Sequence, residues 1–191
     1  MQLSFRELVT AVHGMLFGGF FLMALFGALL LLMEQSDSRV CAADAATPRP
    51  TPGWQRAFLV AMPVLGWAAV LSGAYVIYPW YRAVAPTGAD LTAFPKFLLT
   101  ASPTTAGWHT LGMEWKEHVA WIAPMAATMV AFVMLRHRAV FNASCQVRNV
   151  VLGFAAAAFL AAAIAGGFGA MINKKAPVQG GRIYQIQGGA R

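Results

Sequence analysis

A chain of 191 residues that is 59% hydrophobic and 11% charged is too apolar for an ordinary soluble domain, where charged residues make up about a quarter. The net charge of +7 sits at the flanks of apolar runs and not in a stripe on a polar face. That pattern fits lipid headgroups and topology, not nucleic acid.

Four runs carry no Asp, Glu, Lys or Arg: Leu8 to Met33, Ala57 to Tyr81, Val119 to Leu135 and Asn149 to Asn173. About 20 apolar residues cross the roughly 30 Å hydrocarbon core as a helix. The expectation is an all-α, integral membrane, four-helix up-and-down bundle forming a single membrane domain over 1–191. Its helices are expected near 8–33, 54–81, 107–136 and 148–173.

In chain order, Ser4 with Glu7 three residues on reads as a capping box. The first run, after Arg6, is longer than the ~7–15 apolar residues of a signal peptide's central region, so it is read as a retained helix. It carries His13, with Gly14 and Gly18 spaced to let a helix or a flat cofactor approach. Residues 34–53 form a proline-rich loop containing Cys41. Pro63 and Pro79 interrupt the second helix, which ends in the aromatic belt Tyr75, Tyr78, Trp80 and Tyr81. Leu91 to Leu99 reads as a surface piece or a flap, and Ser102-Pro103 as a helix start. The third helix opens on Trp108-His109 and continues through Glu114, Trp115, Lys116, Glu117 and His118. It contains Pro124 and ends at Arg136-His137-Arg138. The next loop holds Asn142-Ala143-Ser144, formally a glycosylation sequon, and Cys145. The fourth helix is rich in Ala and Gly and leads to a basic, Gly-rich tail.

An even number of crossings puts both termini on one side. That side collects eight bases, Arg6, Arg82, Lys96, Lys116, Lys174, Lys175, Arg182 and Arg191, against six on the other, Arg148 among them. A Cys41–Cys145 disulfide would need an oxidising compartment, and both cysteines fall on the side away from the termini. The expected placement is the bacterial inner membrane with cytoplasmic termini.

The histidines suggest a site. The first and third helices cross in the same direction, which brings His13 and His118 to within about a turn of one depth. Two histidines projecting into a bundle from different helices can hold haem iron from both faces. His109 is the alternative ligand, but nine residues before His118 it points to the opposite face of a continuous α-helix. Glu114, one turn before His118, can orient that ring or, with Glu117, relay protons to a quinone. Lys116 is expected to pair with one of these acids or to reach for headgroups. Satisfied structural histidines and a metal or proton site are the alternatives.

On its helix count, His13, His118, Gly14 and Gly18, the chain resembles small four-helix b-type cytochromes, the haem-bearing membrane anchors of quinone-linked oxidoreductases. The resemblance implies a non-catalytic electron-transfer subunit with haem b. Such a subunit would pass electrons between the quinone pool and a partner, such as another membrane subunit, a c-type cytochrome or an iron–sulfur subunit. The rival expectation is a structural accessory subunit of a respiratory or photosynthetic complex, without haem or with a chlorophyll-type pigment. A small transporter ranks lower, because the helix centres carry no ionisable residue.

Overall fold

A computed structural model describes residues 2–36 and 52–185. The chain is mostly helical, and four helices are long and apolar enough to cross a membrane: α1 (Phe5–Gln35), α2 (Gly53–Tyr81), α4 (Pro103–Arg136) and α6 (Cys145–Lys175). Short helices α3 (Pro95–Thr100) and α5 (Arg138–Ala143) lie in the connections. Helices α1, α4 and α6 begin three or four residues before their expected starts, where side chains cap them. Ser4 and Glu7 close the capping box on α1, Ser102 accepts from Thr104 N–H at α4, and Ser144 accepts from Val147 N–H at α6.

Helix α1 packs on α2 and α6, and α4 packs on the same two helices. The shared core includes Phe21, Leu25, Leu32, Leu59, Met62, Val130 and Val151, with alanines of α4 and α6 between them. Close approach depends on glycine at one crossing. A Cβ at Gly66 would lie 2.7 Å from Cζ of Phe21, so the ring rests directly on the α2 backbone. Tryptophans add polar ties between helices. Trp67 Nε1 donates to Thr128 Oγ1 at 3.0 Å, and Trp115 Nε1 donates to the Ala161 carbonyl at 3.2 Å.

The termini meet. Strand β1 (Gln2–Ser4) pairs antiparallel with β2 (Ile183–Gln185), with Leu3 opposite Tyr184. The chain reverses into β2 through Gly180 and Gly181, at φ +124° and +84°, where a side chain would be strained. The tail, expected at the surface or on a partner, is thus held as far as Gln185 by the chain's own amino terminus.

Arg148 departs from its expected place as a loop charge. It is fully buried, with Nε donating to Phe141 O at 3.0 Å, one terminal nitrogen to Gln35 O at 2.8 Å and the other to Asn142 O at 2.7 Å. Its guanidinium therefore ties the end of α1 to α5 and the start of α6, satisfying carbonyls that a helix end leaves over. The sequon residues have structural tasks here: the Asn142 carbonyl accepts from Arg148, and the Ser144 hydroxyl caps α6. Cys145 is disulfide-bonded. Cys41 lies outside the described residues.

Candidate functional site

The half of the bundle nearer the termini departs from regular α-helix at four places. These are Val12–Gly19 in α1, Gly73–Ile77 in α2, and Trp108–Met113 and Trp115–Val119 in α4, all wound as π-helix. Such turns are rare and gather at functional sites. Proline accounts for two of them. The Pro79 ring would strike the Tyr75 carbonyl of an α-turn, and the widened turn at 73–77 relieves that clash. Pro124 likewise follows a widened turn, in which Ala120 N–H reaches back to Trp115 O at 3.0 Å. The turn at Val12–Gly19 has no proline, but it holds Gly14, Gly18 and Gly19, and glycine favours the α-helix least after proline.

Every histidine expected at the site lies in one of these turns. His13 faces α2. Its Nδ1 is 3.0 Å from Ser72 Oγ, and a Cβ at Gly73 would lie 2.8 Å from its Cε1. The Ser72 hydroxyl donates to the Ala69 carbonyl at 3.1 Å, so its oxygen accepts from His13 Nδ1–H. In the neutral ring this leaves Nε2 bearing a lone pair. Gly18 would place a Cβ 3.4 Å from the His13 carbonyl, whereas Gly14 faces open space. Only Gly73, on the neighbouring helix, makes room for the ring itself.

His118 faces outward. Its side chain is 70% exposed and pairs with Glu114 of its own helix, Nδ1 to Oε2 at 3.4 Å, with a second approach to the Glu114 carbonyl at 3.1 Å. Glu114 therefore reaches the face of His118, as the spacing implies. The structure does not bring His13 and His118 to one shared space, because one ring is seated on α2 and the other stands on the outer face of α4. A haem gripped by both within this chain does not fit that arrangement. Among the described residues, no group of three or more His, Cys, Asp or Glu side chains is placed to hold a metal ion.

His109 lies at the termini end of the bundle. Its Nδ1 is 2.8 Å from the hydroxyl of Tyr81, which is buried with Leu99, Met113 and Ile172 under α3. Helix α3 thus packs against this end of the bundle through Leu99. His109 turns to Tyr81 of α2 while His118 stands exposed on α4, so the two rings do not meet. Glu117 turns towards Tyr78, and its charge also acts on Tyr81, His109 and Arg82.

Lys116 corrects another expectation. It pairs with neither acid beside it. Its amine turns inward, 2.7 Å from where a Cβ of Gly169 on α6 would stand, and its charge acts on His13. Among the described residues it has no hydrogen-bond or ion-pair partner. Sequence reasoning missed this role for Lys116, missed Ser72 and Gly73 altogether, and read Gly169 only as part of a small-residue packing stretch. The one available signal was the glycine series at 166–169 on the facing helix.

Outside the spans, Asp90 caps the turn Leu91–Ala93 by accepting from Thr92 N–H at 2.9 Å, which holds its carboxyl below the usual range. Compared with known proteins, the chain matches no family model, no curated protein and no solved structure.

Proposed function

We propose that the chain is an accessory membrane subunit of a respiratory or photosynthetic electron-transport complex. In this reading it is an up-and-down four-helix bundle in the bacterial inner membrane, with cytoplasmic termini. One observation carries it: the Glu114–His118 pair stands exposed on the outer face of a span. Ionisable groups facing lipid are costly, and those retained in membrane spans face a cavity or a protein neighbour. A partner subunit packed on that face of α4 removes the cost. The test is a photo-crosslinking residue at position 118 in cells, followed by mild purification. A discrete cross-linked membrane protein supports the reading, and cross-links to lipid alone overturn it.

A second reading, the haem b subunit, is favoured by the imidazole of His13. Its Nδ1–H is held by Ser72, the outer support that ligating histidines use to present the other nitrogen. Haem would supply one-electron transfer there. The second expected ligand, His118, faces away, so no electron path is traced through this chain. A reduced-minus-oxidised absorbance spectrum of the purified protein, beside His13→Ala and His118→Ala, decides between the two readings. The accessory-subunit reading expects no b-type signal in the native chain. A b-type signal lost in both variants would restore the haem reading.

A further inference from the structure

Glu114 and His118 form a pair of hydrogen-bond acceptors on the outer face of α4. His118 Nδ1 lies 3.1 Å from the Glu114 carbonyl and 3.4 Å from its Oε2, both acceptors, so Nδ1 carries the ring hydrogen. In the neutral ring Nε2 then bears a lone pair. Among the described residues, neither the imidazole nor the carboxylate has a hydrogen-bond partner on another helix. The other charges of this turn are directed elsewhere, with Lys116 against Gly169 and Glu117 towards Tyr78. The pair thus carries one negative charge and two exposed acceptors, with no donor from the bundle.

An apolar groove continues from this pair along the span. Ile122, Met125 and Met129 follow His118 at steps of four, three and four residues, the spacing of one helix face, and Ile122 and Met125 are exposed as His118 is. With Ala126 they form one side of the groove, and Phe154 and Ala157 of α6 form the other. Met125 lies about 10 Å beyond His118 along the helix. Small residues such as Ala126 and Ala157 let a neighbouring membrane helix come close.

We propose that this face of α4 seats a transmembrane helix of a partner subunit, one that presents an arginine to Glu114 and His118 and a bulky apolar side chain, about two turns further along, to the groove. This rests on the reading of the chain as a subunit of a membrane complex. Chemistry selects the arginine. A guanidinium is a fork of donors with no acceptor and a permanent charge, so one side chain serves the carboxylate and the imidazole together. A second copy of this chain is a poor occupant. Two copies of the same sidedness, related by an axis along the membrane normal, bring Glu114 level with Glu114 and set acceptors against acceptors. Lipid tails fit the groove but bring no donor to the pair.

The test reconstitutes the full chain in phosphatidylcholine vesicles, whose headgroups donate no hydrogen bond, with synthetic leucine-rich transmembrane peptides. The peptides lack tryptophan and carry a dansyl label. They differ only at one position a turn inside one end, which is Arg, Glu or Leu. Association is read as energy transfer from the chain's tryptophans. The Arg peptide is expected to bind about five- to thirtyfold tighter than the Leu peptide, with the Glu peptide no tighter than Leu. Glu114→Gln removes the charge from an exposed side chain and is expected to reduce the Arg preference to less than about threefold. Ala157→Leu, at an exposed position of α6, fills the groove and is expected to weaken the Arg and Leu peptides alike, by about three- to tenfold. Equal binding of the three peptides overturns the inference. So does an Arg preference that survives Glu114→Gln, or binding indifferent to Ala157→Leu, in variants that melt like the native chain. A dimer of the chain in mild detergent that Glu114→Gln dissociates gives this face to a second copy and overturns it too. If a partner is captured at position 118 and the Arg peptide has no preference, this inference fails alone. If the Arg peptide binds through Glu114 and no partner is captured, the subunit reading fails alone.

Discussion

Replacing Arg148 tests the clearest structural argument in the molecule. Its guanidinium is fully buried and, among the described residues, makes three bonds of 2.7–3.0 Å to main-chain carbonyls, one of α1 and two of α5. A hydrogen bond to a charged group contributes about 1.5–3 kcal/mol. Three on one side chain are not additive, and the carbonyls freed at a helix end can be hydrated, so Arg148→Met is expected to cost about 3–5 kcal/mol. Arg148→Lys keeps the charge without the planar fork, reaches fewer carbonyls, and is expected to lose more than half as much. The control is Arg136→Met, an exposed arginine in the last turn of α4, expected within about 0.5 kcal/mol of native. Thermal unfolding in detergent, followed by circular dichroism, compares the three. An Arg148→Met chain that melts with the native one would refute the view that this side chain clamps the far end of the bundle. So would equal losses at Arg148 and Arg136.

Two further predictions follow from the packing and the capping turn. Gly66→Ala would press a Cβ into the Phe21 ring at 2.7 Å and is expected to destabilise by about 1–3 kcal/mol; Phe21→Leu in the same chain should recover part of that loss, measured as a double-mutant cycle of melting curves. For Asp90, the folded carboxyl titrates below its unfolded value, so its cap on Leu91–Ala93 is intact above the unfolded range. The cap is lost as pH falls through the folded value. The Thr92 amide resonance should therefore shift with pH in the native chain and stay fixed in Asp90→Ala.

The four spans were legible in the sequence because length and apolarity alone decide whether a helix can cross a bilayer, and no neighbour is needed to read them. The caps at Ser4, Ser102 and Ser144 are local for the same reason, since each involves residues two or three apart. That His13 lies within the first long apolar helix was also legible, but the direction of its ring was not. That direction depends on Ser72 and Gly73, about 60 residues away, and on π-turns that change the angular step along a helix. The same turns made α-helical spacing a poor guide to which of Glu114, Lys116, Glu117 and His118 faces inward. Sequence pattern set the charges at one end of the bundle. Tertiary packing decided that Lys116 turns in against Gly169 of α6, that His118 stands outside, and that Arg148 is a buried clamp. Only the facing helices supply the glycines and carbonyls that those side chains meet.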